Sequence, residues 1–409
     1  MISLESALAA YANSLRALPA RSLPTAAALG AVFAAAVYAE TDLPRFDQSA
    51  MDGYVMRAED LDTASPEHPV ELLVTLHIAA SGQDDAPRLA RGCAARIFTG
   101  ALLPEGANTM IPQERAERIG DRLRFIAPYP PARNIRRRGE ELQRGARLAD
   151  AGQRMGPGLL ASLVNADVRT VQVHARPRVR VFVTGDEIRP AGAPLRPGEI
   201  HDSNGPLVGA LLADWGYRCE PAQHLGDDEG EVRAALAQAF EECDLVISTG
   251  GASVGDKDYL PKAAEALGAQ RVFWKVAQKP AKPLFFGVRE KAGRQCAMLA
   301  LPGNPGAVLI GMLLHVKTAL DVLEGLAEPG VNWTHGVLNR TIERDSERTR
   351  LVRMRRHHDE SGTARLEPLP NQDSHMLSNL GRADVLVRID AGTEAVAAGS
   401  TLLWTPMPG

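Results

Sequence analysis

Three short apolar runs in the middle of this chain each empty into a Gly/Pro-rich loop, and that arrangement restricts the fold more than any other feature. Val179–Thr184 leads into Gly185-Asp186-Glu187, and residues 297–301 lead into Pro302-Gly303-Asn304-Pro305-Gly306. Between them, residues 245–248 lead into Thr249-Gly250-Gly251-Ala252-Ser253-Val254-Gly255-Asp256-Lys257-Asp258. The intervening stretches carry helix punctuation. Asp202-Ser203-Asn204 precedes Pro206 with Gly216 as a stop, Asp227-Asp228 precedes residues 231–242, and Asn304-Pro305 precedes an apolar helix reaching Leu323. Repeated strand–loop–helix units build a three-layer α/β arrangement with a parallel-dominated sheet, in which every such loop emerges at the same edge. Groups distant in sequence then converge on one ligand, and the active site is expected there.

The flanking sequence has a different texture. Residues 1–42 are Ala- and Leu-rich with a helical pattern, Pro24 standing at an early-helix position before the apolar run 26–39. From Ser65 to Ala127, short alternating runs (Val70–Ile78, residues 94–98 and 123–126) are separated by turns such as Ser81-Gly82-Gln83-Asp84-Asp85 and Pro104-Glu105-Gly106, which predicts a β-rich insert. If that insert is a lobe, its two hinge strands, near residues 43–54 and 134–141, run side by side. Gly156-Pro157-Gly158 opens a short helix to Val164, and residues 168–173 alternate like a strand. Beyond Glu328, residues 336–342, 349–354, 383–389 and 400–404 read as strands of a small all-β domain.

Bulk properties narrow the function classes. A chain of 409 residues predicts two to four domains. A net charge of −4 gives no electrostatic reason to expect nucleic acid or an anionic membrane as partner. Cys93, Cys219, Cys243 and Cys296 form no C-x-x-C pair, which argues against a disulfide framework or zinc site and for a reducing compartment. The first 20 residues lack a basic segment followed by an apolar core, and the run 26–39 is too short to span a bilayer. A cytoplasmic protein is expected.

The second loop carries the most specific chemistry. Gly250, Gly251 and Gly255 free the backbone to wrap a phosphate, Ser253 adds a hydroxyl donor, and Asp256 and Asp258 add carboxylates. Carboxylates beside a phosphate cradle make sense mainly when a hard cation such as Mg²⁺ bridges them. Glu187 and the Asp202-Ser203-Asn204 cluster follow one strand and can supply further oxygen ligands, although Asp202 serves equally as a helix N-cap. Asn304, with Pro305 behind it, suits a helix start that presents free N–H groups to an anion, or simply a well-capped turn. Lys275, Lys279 and Lys282 lie on a segment that Pro280 and Pro283 are expected to hold extended, either as a phosphate-neutralising strip or as a solvated face. Arg136, Arg137 and Arg138 read as a charged hinge, and His357-His358 as surface. No G-x-S-x-G, H-E-x-x-H or Walker sequence is present.

Taken in order, these segments resemble the molybdopterin molybdenumtransferase family (MoeA and the E domain of gephyrin). The resemblance runs through residues 43–54, 96–101, 134–141, 162–163 with 177–179, 184–187, 202–204, 250–258, 275–283, 302–305 and 373–378. It implies an elongated homodimer whose subunits have four domains. On this sequence those would be residues 1–44 with 140–175 (discontinuous), 45–139 (the β-rich insert), 176–326 (the α/β molybdopterin-binding domain) and 327–409 (a β-barrel). It further implies binding of adenylylated molybdopterin and insertion of molybdate, with Mg²⁺-dependent release of AMP. By the same carry-over Asp52, Thr99, Glu187, Asp258, Lys275 and Lys279 are catalytic, Asp52 and Thr99 reaching the site from the other subunit. Asp202, Asp256 and Glu187 would hold Mg²⁺. Gly250, Gly251, Ser253, Gly255, Asn204, Lys282, Pro302, Pro305, Arg348 and Ser374 would contact substrate. The upstream adenylyltransferase and client molybdoenzymes would be further partners.

The chain departs from the family pattern in Gln48 for Asn, Glu141 for Asp, Ala281 for Gly, and Gly306-Ala307 for Val-Ser. Two other readings compete with the transferase. One is a carrier that holds molybdopterin or its finished cofactor without efficient insertion. The other is an adenylyltransferase making the activated pterin, against which the additional N- and C-terminal domains argue.

Overall fold

The computed structural model describes residues 1–81, 86–251 and 259–408. At its centre lies a six-stranded sheet in the order Gln223–Leu225, Val179–Thr184, Leu245–Thr249, Arg294–Leu301, Phe285–Lys291 and Ala269–Trp274. The first three pairings are parallel and the last two antiparallel. Side chains alternate between two covered faces, as buried parallel strands require. Val181, Ile247 and Leu299 pack with the helices Asn204–Asp214 and Pro305–Leu323. Phe182, Val246 and Met298 pack with the helices Glu229–Glu242 and Tyr259–Ala266. Pro305–Leu323 is apolar and long enough to cross a membrane, but 89% of its most apolar stretch is buried, which marks it as the core helix. It includes a wider π-helical turn at Gly311–Val316.

The N-terminal stretch is less helical than its composition predicts. Only Leu4–Ser14 forms an α-helix, and its Leu4, Ala7 and Tyr11 join the central-sheet core. The alanine-rich run 26–39 is not a helix: Gly30 turns at φ +75°, Val32 and Phe33 bridge to Arg154 and Val173, and Val37–Tyr38 pairs with Arg147–Ala149. Burial of Ala28, Ala31, Phe33 and Val37 against Leu163 and Val171 overrides the alanine propensity.

The insert is a six-stranded sheet in the order Thr109–Pro112, Gly53–Met56, Cys93–Ile97, Val70–Ile78, Arg122–Phe125 and Glu117–Ile119. Its hinge strands do run side by side, with Gln48–Ser49 antiparallel to Ile135–Arg136 and Leu43 bridging Leu142. Arg137 pairs with Asp47 at 2.6 Å and Arg138 with Asp42 at 2.6 Å, so these two arginines serve the hinge. At the C-terminus, Thr349–His358, Ala364–Pro368, Thr334–Leu338, Thr401–Pro406 and Val385–Ile389 pair in that order. Val385–Ile389 then returns to Thr349–His358, closing a small five-stranded barrel.

The lysine segment departs from the extended reading. After Trp274 the chain doubles back: Lys275 N–H donates to Leu284 O at 3.0 Å and Val276 N–H to Lys282 O at 3.0 Å. Lys275 (φ +74°) and Ala281 (φ +66°) supply the left-handed turns. At Ala281 that conformation crowds Cβ against the following carbonyl oxygen, a cost of about 1–2 kcal/mol that glycine avoids. We therefore expect Ala281→Gly to raise unfolding stability by about 0.5–1 kcal/mol, net of the greater freedom of glycine in the unfolded chain. A urea titration checks this through a higher midpoint at unchanged slope.

Candidate active site at the carboxyl edge of the central sheet

The three loops singled out in the sequence meet at one edge. The parallel register places Val183 beside Thr249 and Thr249 beside Leu301, so the strands end level with one another. Hydrogen bonds then tie the loops together. Gly250 N–H donates to Leu301 O at 3.1 Å, and Asn204 Nδ2 donates to Gly303 O at 2.7 Å. The edge opens into a cleft of ≈ 500 Å³ whose lining includes Glu187, Asn204, Asp227, Thr249, Gly250, Gly251, Tyr259, Pro302 and Asn304.

Glycine is required at the cleft floor. Gly250 and Gly251 adopt φ +87° and +63°, and a Cβ on Gly250 would stand 2.7 Å from Thr184 Oγ1 and 2.8 Å from Thr184 O. Two successive left-handed residues at a strand end leave the backbone bare where a ligand's phosphate can approach. The cleft also holds orphaned polar atoms. Among the described residues, Asn204 Oδ1 and Thr249 Oγ1 are buried without a hydrogen-bond partner, as is Ser248 Oγ on the same strand. A buried polar group left unpaired costs about 1–3 kcal/mol, so these atoms fit a ligand that offers both an N–H donor and an oxygen acceptor.

Placement of the expected residues is uneven. Glu187, Asn204, Gly250, Gly251 and Pro302 line the cleft. Asp202 lines a separate cavity and acts in the capping role: Oδ1 accepts from Gly205 N–H at 2.8 Å, and Oδ2 lies 3.2 Å from His224 Nε2. Ser253, Gly255, Asp256 and Asp258 lie outside the described residues. Lys279 and Lys282 are exposed and Lys275 half-buried. Among the described residues none of the three pairs with a carboxylate, and Pro283 at the end of their loop reaches the cleft lining. The lysine segment also runs along the barrel, Gln278 beside Thr349 and Lys279 beside Arg350, which brings Arg348 near it. The Arg348 guanidinium is already held by Asp345 (2.7 and 3.1 Å), and this pairing keeps the Asp345 carboxyl below the usual range.

Ser374 arrives from the barrel by a route the sequence did not signal. Asn304 Nδ2 donates to Ser374 Oγ at 3.0 Å instead of capping its own helix, and Gly306 N–H, next to Pro305, donates to Ser374 O at 2.8 Å. Arg353, only 1% exposed, fastens this loop by donating to Asn371 O, Asp373 O and Met376 O. A Cβ on Gly306 would lie 2.8 Å from both Arg353 Nη1 and Ser374 O. Asp227 was also missed. Of the Asp227-Asp228 pair only Asp228 caps the helix, its Oδ1 accepting from Glu231 N–H at 2.7 Å, while Asp227 lines the cleft.

Asp52 and Thr99 stand together in the insert and are absent from the cleft lining. Asp52 Oδ1 accepts from Thr99 Oγ1 at 2.7 Å and from Thr99 N–H at 2.8 Å, and these bonds hold its carboxyl below the usual range. Exposed Phe46, Met51 and Phe98 surround this tip in sequence. Among the described residues no group of three or more His, Cys, Asp or Glu side chains is poised to hold a metal alone.

Comparison with known proteins agrees with this architecture. Residues 2–167 match the MoeA N-terminal region (domain I and II), residues 180–322 a probable molybdopterin binding domain, and residues 335–407 the MoeA C-terminal region (domain IV). A molybdopterin molybdenumtransferase of a Nostoc species is 36% identical over 302 residues, covering 74% of this chain and 69% of the relative. Its counterpart from Staphylococcus epidermidis is 31% identical over 372 residues, covering 91% and 87%. The crystal structure of a molybdopterin biosynthesis MoeA protein from Pyrococcus horikosii superposes with a TM-score of 0.81 at 28% identity, covering both chains in full. The Gly306 contact yields a test independent of activity. Gly306→Val should destabilise the protein by about 1–3 kcal/mol through overpacking, measured by denaturant unfolding. Unchanged stability would mean that the Ser374 loop is not docked there.

Proposed function

From the premise that this chain belongs to the MoeA family of molybdopterin molybdenumtransferases, and so is a transferase of molybdenum-cofactor biosynthesis, we propose that its cleft binds adenylylated molybdopterin. The reaction we assign to it is insertion of molybdate with release of AMP. The observation that carries this reading is the meeting of the three loops around buried Asn204 Oδ1 and Thr249 Oγ1, which have no hydrogen-bond partner among the described residues.

In this reading the bare backbone at Gly250 and Gly251 and the Thr249 hydroxyl receive phosphate oxygens, while Asn204 Oδ1 accepts from a ring or amino N–H of the pterin. Glu187 and Asp227, with Asp256 and Asp258 of the same loop system, would hold Mg²⁺. Carboxylates gathered beside a phosphate site suit a hard cation that takes one or two of them directly and keeps the rest of its shell for water and phosphate. When bound, Mg²⁺ supplies charge neutralisation at the phosphoryl oxygens. Water attacking the adenylyl phosphorus displaces the pterin phosphate and leaves AMP carrying the water oxygen. A molybdate oxygen attacking there gives adenylyl-molybdate and the free pterin phosphate, and AMP then departs with the bridging oxygen as the dithiolene sulfurs take the molybdenum. Lys275, Lys279 and Lys282, unpaired among the described residues, neutralise the oxyanions at the other end of the site, with Ser374 held beside Asn304. Fixed positive charge of this kind acts most strongly where it needs no reorganisation.

We assign the Asp52–Thr99 pair to the site of a second subunit, because within one chain it lies on a different domain from the cleft. Homodimerisation through the insert would also cover Phe46, Met51 and Phe98. Asp258→Ala and Asp52→Ala should each leave the fold intact and abolish AMP release. Mixed dimers of the two variants should regain a substantial part of it, since one of their two sites is then complete. Failure of complementation, with each homodimer inactive, would place both residues in one subunit's site and remove the shared-site assignment.

A further inference from the structure

A loop whose task is to present lysines to an anion cannot be fastened by its own cations, because each ion pair it made would cancel the charge it offers. The loop at 275–282 meets this requirement in an unusual way. Its ammonium groups pair with no carboxylate among the described residues, and its anchor is a chain of neutral hydrogen bonds in the core. Tyr11, His315 and Gln278 are all fully buried. Tyr11 Oη lies 3.0 Å from His315 Nδ1, His315 Nε2 lies 2.9 Å from Gln278 Oε1, and Gln278 Nε2 donates to Ala281 O at 3.1 Å.

The donors and acceptors permit one assignment. Because the Gln278 amide nitrogen donates to Ala281 O, its oxygen must face His315 and accept from Nε2–H. His315 Nδ1 is then an acceptor, and Tyr11 O–H is its donor. Burial favours the neutral forms throughout, pushing His315 down to about 3 and raising Tyr11. Three distant segments are linked in this way: the helix Leu4–Ser14, the π-helical turn Gly311–Val316 of the core helix, and the loop. The π-helical turn carries His315 itself. The loop is tied from outside as well, by Ala277 N–H to Ile2 O at 2.7 Å and by Thr349 N–H to Ala277 O at 3.0 Å. Of these ties the internal relay is the one that reaches Ala281, whose left-handed turn lies between Lys279 and Lys282.

We propose that Tyr11, His315 and Gln278 are positioning residues, a neutral buried relay that fixes the Lys279–Lys282 turn for oxyanion binding. The inference rests on reading those lysines as anion-binding.

The test uses the full-length dimer, with kcat/KM for molybdate in AMP release and hydrogen exchange of the loop amides. Gln278→Leu should lower kcat/KM by about tenfold, the order expected when a charged group shifts by less than an ångström. The Val276 and Leu284 amides, which both donate to Lys282 O, should exchange faster. Tyr11→Phe preserves the ring packing on Phe286 and should act in the same direction by about threefold, which covers the case of a Gln278 variant that folds poorly. In a Lys279→Ala background, Gln278→Leu should add less than twofold, since its effect passes through the lysine. Full additivity would overturn the proposal, and so would unchanged loop exchange. If Lys279→Ala lowers kcat/KM while Gln278→Leu and Tyr11→Phe do not, the relay is merely structural. If Lys279→Ala is itself without effect, the anion-binding reading of the lysines fails first and the relay's role falls with it.

Discussion

The parallel pairing of Val179–Thr184, Leu245–Thr249 and Arg294–Leu301 is the constraint from which the rest of the site follows. Parallel strands need crossovers, so both faces of the sheet are covered and the loops leave together at one edge. Once Val183, Thr249 and Leu301 stand level, the loops can exchange hydrogen bonds, and Gly250 N–H to Leu301 O does so directly. The cleft is therefore a consequence of strand register, and only its chemistry is left to the loop residues.

The other domains complete what the sheet edge begins. The barrel delivers Ser374 through a docking that depends on the missing side chain at Gly306 and the buried guanidinium of Arg353. It also flanks the lysine loop along Gln278–Lys279. The N-terminal helix enters the same core through Tyr11, far from the segment that follows it in sequence. Charges are managed by separation. Arg137, Arg138 and Arg348 are consumed by Asp47, Asp42 and Asp345, whereas Lys275, Lys279 and Lys282 pair with no carboxylate among the described residues.

Much of this was legible in the chain because it rests on local signals. Apolar runs before Gly/Pro loops gave the strands and their shared edge, and Asp228, Gly216 and Pro305 punctuated the helices where expected. What escaped depends on long-range contact. The alanine-rich run 26–39 reads as helix until Phe33 and Val37 are buried against Leu163 and Val171. Pro280 and Pro283 suggest an extended strip, yet left-handed Lys275 and Ala281 fold it back. Asp202 offered two roles of equal weight, and the structure shows it capping Gly205 N–H and lining a separate cavity. No local pattern marks Arg353 or His315, whose partners lie in other segments.

We assign molybdate insertion to this sheet edge, beyond the holding of a pterin. The measurement that tests it most directly is AMP release from adenylylated molybdopterin by the purified chain with Mg²⁺, with and without molybdate. Release should depend on molybdate and yield a cofactor able to activate a molybdoenzyme lacking its own. Tight binding of the adenylylated pterin with no molybdate-dependent release would contradict it, and would leave the chain a carrier built on the transferase architecture.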